Sequence, residues 1–307
     1  MILKNNLNCL NPWFVVGLTD AEPSFGVIIT KDVSRPLGFV ISISFEIGLN
    51  KKDLDLLNKV KNTLGVGNIY FNKDDNTYKF KVSNITDINN IIIPFFKKYS
   101  LMSQKRADFE VFVKIIDIML NKGHLTSDGL QEIVNLKASL NLGLSDKLKA
   151  SFPNYKVSPT RSPVVSLMNI PNDFWLAGFF EGEACFYVSV YKSPNSKTGF
   201  AVQLVFKVTQ HSRDAELLKH MAKHLSCGRV EYRKGEACDY TVTAFKDIKD
   251  KIIPLLNKYP LLGSKALNFK DFKKVVEIME NKDHLTEKGI NDIRVIKENM
   301  NTGRLGD

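Results

Sequence analysis

Several common chemistries are poorly supplied in this chain. Its 307 residues include four cysteines, five histidines and two tryptophans. The cysteines, Cys9, Cys185, Cys227 and Cys238, form no C-x-x-C pair and no regular framework. That excludes a disulfide-stapled scaffold and points to free thiols in a reducing compartment. His220 and His224 have the i, i+4 spacing of a metal pair but no evident third ligand, so they read as a polar helix face. No stretch approaches the ~18 apolar residues of a membrane span, and no basic amphipathic helix with an aromatic face suggests a membrane surface. The first residues, MILKNNLNCLNPW, carry neither a signal peptide's long apolar core nor the arginines of a transit peptide. Arginine itself is scarce: lysine outnumbers it about four to one, and asparagine and isoleucine are abundant. This bias suggests an AT-rich coding sequence such as organelle genomes carry.

What is present is a soluble-type composition, 44% hydrophobic and 25% charged, with a net charge of +10. The length suffices for about two domains with cores of their own. The positive excess favours an anionic partner, nucleic acid before membrane.

The chain also repeats itself. Leu64-Gly65-Val66-Gly67 corresponds to Leu225-Ser226-Cys227-Gly228, Ile92-Ile93-Pro94 to Ile252-Ile253-Pro254, and Lys105 to Lys265. Asn121-Lys122-Gly123-His124-Leu125-Thr126 corresponds to Asn281-Lys282-Asp283-His284-Leu285-Thr286. Thr126 and Thr286 stand where helix N-caps are expected. A period this long fits a duplicated domain and not a solenoid. The expected boundaries are a first domain over 1–143, a Pro- and Ser-rich linker over 144–173 and a second domain over 174–307.

Each half reads as helix, two strands, helix, two strands, then helices. Strict alternation marks strands with one buried and one open face. In the first half the open face carries Ser24, Gly26, Ile28 and Thr30, then Val40, Ser42, Ser44 and Glu46, then Asn68, Tyr70 and Asn72, then Lys79, Lys81 and Ser83. In the second it carries Cys185, Tyr187, Ser189 and Tyr191, then Gln203, Lys207 and Thr209, then Arg229, Glu231 and Arg233, then Asp239, Thr241 and Thr243. Amide, hydroxyl and basic groups on a sheet can pair with base edges in a major groove.

Two stretches stand ahead of the rest: WFVVGLTDAEPSF from Trp13 and WLAGFFEGEACF from Trp175. Each reads as an apolar helix with small residues four apart, Gly17 and Ala21 in one, Gly178 and Gly182 in the other, so that two such helices can cross closely. Each ends in a glutamate, Glu22 or Glu183, at the negative end of its helix dipole. Two carboxylates about 5 Å apart at an effective dielectric near 20 repel by roughly 3 kcal/mol. A divalent cation removes that cost, so a shared metal site is expected. Asp20 and Glu181, two residues earlier, face elsewhere on the helix and read as solvated or locally hydrogen-bonded carboxylates.

With both motifs in view, the chain resembles the LAGLIDADG homing endonucleases, in particular the single-chain, two-repeat type of fungal mitochondrial introns. Leu176-Ala177-Gly178-Phe179-Phe180-Glu181-Gly182-Glu183-Ala184 is similar to the nine-residue motif, and Val15-Val16-Gly17-Leu18-Thr19-Asp20-Ala21-Glu22-Pro23 is so more loosely. The resemblance implies an α+β protein of two pseudo-symmetric αββαββα domains forming a saddle on DNA, each sheet in the major groove, over about 20 bp. It implies a monomer that cuts both strands of a long asymmetric site with metal-activated water, leaving short 3′ overhangs. Two or three Mg²⁺ ions would be held at the domain interface by Glu22 and Glu183, with Ala21 and Gly182 beside them; Gln210, Lys105 and Lys265 would assist catalysis. Two other activities go with the same fold: an intron RNA maturase, and a DNA-binding protein with weakened cleavage.

The motif's final glycine is replaced by Pro23 in one copy and Ala184 in the other. Proline fixes φ near −65° and pushes Glu22 out of the α region. If glycine takes a left-handed φ there, alanine costs roughly 1–2 kcal/mol and proline cannot follow. Either the backbone is not left-handed at this point or Glu22 is displaced.

Overall fold

A computed structural model describes residues 8–140, 143–157 and 169–304. The chain divides into two compact units, Met1–Met168 and Asn169–Asp307. Each is the expected mixture of helices and one antiparallel sheet.

The first unit runs α1 (Pro12–Ala21), β1 (Pro23–Lys31), β2 (Phe39–Asn50), α2 (Leu54–Leu64), β3 (Asn68–Asn72), β4 (Thr77–Val82), a helical stretch over 85–98, α3 (Lys105–Leu120) and α4 (Ser127–Ala138). The second repeats it with α5 (Asp173–Glu183), β5 (Ala184–Lys192), β6 (Phe200–His211), α6 (Ala215–Leu225), β7 (Arg229–Tyr232), β8 (Ala237–Val242), a helical stretch over 245–258, α7 (Lys265–Glu280) and α8 (Glu287–Glu298). The sheets have orders β1-β2-β4-β3 and β5-β6-β8-β7.

Helix starts follow local chemistry. The Asn11 side chain accepts from Trp13 N–H ahead of α1, and Asn172 from Phe174 N–H ahead of α5. Thr126 and Thr286 cap α4 and α8 as expected, each accepting the N–H of the glycine three residues on at 3.1 Å. Pro94 and Pro254 lack the N–H that an α-helical ladder needs at their positions, and a π turn precedes each, over Ile88–Ile92 and Ile248–Ile252.

The inward face of each sheet meets its helices through aromatic rings. Phe25 lies 5.4 Å from Phe45, 5.4 Å from Phe109 and 5.5 Å from Phe112. Phe186 stands 5.4 Å from each of Phe206, Phe269 and Phe272 in the second unit. Phe80 and Tyr240 occupy equivalent places, 6.3 Å from Phe45 and Phe206 respectively. The tyrosine keeps its extra oxygen satisfied by donating to the Cys227 carbonyl at 3.0 Å. Burial, and then a hydrogen bond with the Cys227 thiol 3.4 Å away, push its phenol far above the usual range.

These rings explain a repeated glycine. At Gly228 the backbone has φ +75°, and a Cβ would lie 2.5 Å from the Tyr240 ring and 2.9 Å from the Thr241 carbonyl. Gly67 meets Phe80 in the same way at 2.7 Å. Asn301 and Arg304 tie back to the second unit: Asn301 donates to the Phe186 carbonyl at 3.0 Å, and Arg304 pairs with Asp271 on α7.

The segment expected to be a linker starts differently. Asp146–Ser151 is a short helix, Leu144 is buried, Phe152 packs 4.8 Å from Phe39, and Lys156 N–H donates to Asn135 at 2.8 Å. Residues 144–157 therefore pack with the first unit, because Leu144 and Phe152 supply apolar anchors within the polar run. The Pro- and Ser-rich remainder, 158–168, lies outside the described residues.

Candidate active site and nucleic-acid interface

The motif helices are buried nearly all round: Phe14 to Asp20 on α1 and Trp175 to Glu181 on α5. Glycine and alanine at Gly17, Ala177 and Gly178 keep those faces low. The chain leaves each helix directly into a strand. α5 runs through Glu183, and Ala184 N–H continues the helical ladder to the Phe180 carbonyl. α1 stops at Ala21, one residue earlier; Glu22 has φ −119°, ψ 18°, and its N–H reaches the Leu18 carbonyl. Pro23, with no N–H, cannot add the next bond.

Neither replacement of the motif glycine strains the backbone. Ala184 has φ −75°, ψ 145°, ordinary extended backbone without strain, and Pro23 opens β1, a place where proline is tolerated. The backbone is not left-handed at either position, and the proline does exclude Glu22 from the helix.

Glu22 is exposed and Glu183 is half-buried. Lys105 and Lys265 are the first residues of α3 and α7. The Lys265 ammonium donates to the Gly182 carbonyl at 2.6 Å, so the structure brings this lysine to the residue beside Glu183. Gln210 follows the inward parity of β6, opposite Cys238, where the first unit has the buried Leu49. It lies on the part of β6 that runs past Ala184, the first residue of β5, at the end of the sheet where α5 enters.

Asp20 and Glu181 are not the solvated or locally hydrogen-bonded carboxylates expected. Their side chains are buried, at 1% and 7% exposure. Asp20 accepts Met102 N–H at 2.9 Å, Ser103 N–H at 2.8 Å and the Ser103 hydroxyl at 2.6 Å. Glu181 accepts Leu262 N–H at 2.7 Å and Gly263 N–H at 3.1 Å. Sequence reasoning missed these partners because they lie some eighty positions away; a charged residue inside an otherwise apolar helix was the available signal.

Among the described residues no group of three or more His, Cys, Asp or Glu side chains forms a metal cage. His224 instead meets Asp173 at 2.8 Å. The donors at each motif end are one carboxylate and main-chain carbonyls, all hard oxygens. This set fits Mg²⁺, which is usually held through one or two carboxylates with water and substrate phosphates completing its shell. The Gly182 carbonyl retains a second lone pair beside the Lys265 ammonium.

The sheet registers place the expected open-face residues together. Ser24, Glu46, Lys81 and Asn68 form one cross-strand row, and Gly48, Lys79 and Tyr70 another. The equivalent rows of the second unit are Cys185, Lys207, Thr241 and Arg229, then Thr209, Asp239 and Glu231. Ser83, Arg233 and Thr243 lie just past the ends of their strands. Ile28, Tyr70, Tyr187 and Tyr191 are 57%, 55%, 45% and 49% exposed, respectively, enough to stack or to meet a groove wall.

Not all of this face is open, however. Ser44, Asp239 and Thr241 are buried at 5–7% exposure, because neighbouring side chains fold over them. Glu46 accepts from Ser44 at 2.7 Å and pairs with Lys81 at 2.8 Å. Burial works to raise its carboxyl, but Lys81 and Ser44 outweigh that and hold it below the ordinary value. Asp239 accepts from Thr209 at 2.7 Å and pairs with Arg233 at 2.5 Å. Arg229 is held by Glu231 at 2.7 Å and Thr243 at 3.3 Å. The acidic groups orient basic ones, which spacing alone could not tell.

Fold and site define a duplicated α+β protein whose motif helices finish at a glutamate or one residue before it, with a polar, lysine- and arginine-bearing sheet in each unit. The pattern of the LAGLIDADG endonuclease family matches residues 15–116 and again 176–276, and the chain belongs to that family. It is 37% identical over 290 residues to probable intron-encoded endonuclease 3 of Neurospora crassa, covering 94% of this chain and 54% of that one. The chain thus spans about half the length of this curated relative. The I-LtrWI LAGLIDADG homing endonuclease bound to target DNA superposes with a TM-score of 0.91 at 52% identity, covering 96% of this chain and 98% of that one. I-SmaMI bound to an uncleaved DNA target in the presence of calcium ions also gives 0.91, at 42% identity over 95% and 99% of the two chains. Among the described residues no helix is long and apolar enough to cross a membrane.

Proposed function

We propose that this chain is a site-specific, double-strand DNA endonuclease that binds and cuts a long asymmetric target as a monomer, leaving short 3′ overhangs, in the mitochondrion of its host. The observation that carries the reading is the Lys265 ammonium on the Gly182 carbonyl, 2.6 Å away, which sets a cation at the end of a buried motif helix beside Glu183. Glu22 and Glu183 are the carboxylate ligands for Mg²⁺, with the main chain of Ala21 and Gly182 adjacent. When bound, the metal supplies an activated water and neutralises charge developing on the phosphate. Lys105 and Lys265 offer protonated amines to phosphate oxygens, and Gln210 offers an amide that can orient water. The sheet faces provide readout through Lys79, Lys81, Lys207, Arg229 and Arg233, with Tyr70 and Tyr187 exposed beside them.

The rows also argue for an asymmetric target. Equivalent positions hold Glu46 and Lys207, Lys81 and Thr241, Lys79 and Asp239, so the two faces present different donors and acceptors to the bases. The experiment is incubation with duplex DNA spanning the host gene's intron insertion site. Cutting is expected in Mg²⁺, and binding without cutting in Ca²⁺; Glu22→Gln and Glu183→Gln should bind and not cut. Salt-sensitive duplex binding with no cutting in Mg²⁺ would reduce the protein to a non-cleaving binder, and preference for intron RNA would make it a maturase.

A further inference from the structure

Both repeats keep a buried carboxylate two residues before the motif glutamate. Each captures two successive main-chain N–H groups: Met102 and Ser103 by Asp20, Leu262 and Gly263 by Glu181. In both repeats the captured loop ends two residues before a lysine that opens a 16-residue helix. In the first, the Ser103 hydroxyl donates a hydrogen bond to Asp20 and accepts one from Lys105 N–H at 3.2 Å. In the second, the Lys265 side chain returns to the Gly182 carbonyl, next to Glu181 itself. The connections form a ring: motif helix, Glu181, loop, Lys265, motif helix.

A lysine stem has four rotatable bonds and little geometry of its own. Its ammonium can be placed reproducibly only if its Cα is fixed relative to its target. We infer that Asp20 and Glu181 are positioning residues that set Lys105 and Lys265 against the motif ends, and that they influence cleavage through those lysines. This rests on the endonuclease reading above. The exchange between repeats supports it: where the loop offers a hydroxyl, Ser103, the carboxylate is the shorter aspartate. Where the loop has Gly263 and no side chain, the carboxylate is longer by one methylene. The chemistry differs while the tether to the lysine is kept.

The test uses the full chain, with single-turnover cleavage in Mg²⁺, DNA affinity in Ca²⁺ and thermal melting for every variant. Glu181→Gln should slow cleavage by about 10- to 100-fold without loss of DNA affinity. In a Lys265→Met background the same substitution should cause no further loss, because a residue that acts through the lysine has nothing left to act on. Glu181→Asp should slow cleavage, and adding Gly263→Ser, which rebuilds the arrangement of the first repeat, should restore it. If the wild type cuts and either Glu181→Gln cuts equally fast or its effect multiplies with that of Lys265→Met, the inference fails alone. If Glu181→Gln does not fold, the Asp and Ser pair decides: no rescue overturns the inference. A wild-type chain that cuts no insertion-site DNA overturns the endonuclease reading and this inference with it.

Discussion

Replacing Pro23 with alanine should accelerate cleavage and leave stability almost unchanged. The second repeat displays the outcome, since Ala184 allows Glu183 to finish the helix with one more ladder bond to Phe180. In the first repeat the substitution supplies an N–H for the Thr19 carbonyl, worth about 1 kcal/mol net. It also releases the unfolded chain from proline's restriction, costing about 0.4–1 kcal/mol. The two nearly cancel, so the melting temperature should move by no more than about 2–4 °C. Glu22 changes far more. Passing from φ −119°, ψ 18° to helical values near −63° and −42° turns each dihedral by about 60°. Rotations of that size carry a carboxylate beyond the ~1 Å misplacement that can cost 100-fold in rate. We expect Pro23→Ala to raise the single-turnover cleavage rate about tenfold or more, with hydrogen exchange reporting a newly protected amide at position 23. A protected amide with cleavage within about twofold of wild type would show that Glu22 works equally well outside the helix.

Gly228→Ala should destabilise the second unit by about 2–5 kcal/mol, from a left-handed φ and overpacking against Tyr240; denaturant melts check this, and a loss below about 1 kcal/mol would contradict the geometry. Burial works to raise the Asp271 carboxyl, but Lys274 and Arg304 outweigh it and hold it below its ordinary 3.8. A depressed carboxyl contributes stability above its ordinary value and loses it as pH falls through the folded one. Arg304→Ala should therefore cost about 1–2 kcal/mol at pH 7, discounted for the solvent around both cations, and much less in acid once the folded carboxyl is protonated; equal costs at pH 7 and in acid would rule this pair out as the cause.

The repeat, the strand faces and the motif glutamates were legible in the sequence because each is a local or periodic property. Phe25, Phe45 and Phe80 announce an inward face by parity alone, and the registers keep Ser24, Glu46, Lys81 and Asn68 in one row as that parity requires. The burial of Asp20 and Glu181 was not legible, since their partners are main-chain amides of distant loops and amides have no sequence identity. Nor was the burial of Asp239, which depends on where the Arg233 side chain folds. Leu144 and Phe152 were hidden within a polar, proline-bearing stretch whose average composition outweighed two apolar anchors.

The contrast between repeated framework and unrepeated sheet rows has an evolutionary consequence. Phe25 and Phe186, Gly67 and Gly228 are tied to the same interior geometry, so a change in any of them is felt by its own unit's core, while Thr126 and Thr286 cap equivalent helices. The Lys81 side chain pairs with Glu46 on the neighbouring strand, and Thr241 stands opposite Lys207 in the equivalent row. After duplication, one recognition surface could therefore drift, residue by residue, while its twin held the protein on its old site, and a lineage could acquire a new target without ever passing through an unfolded ancestor.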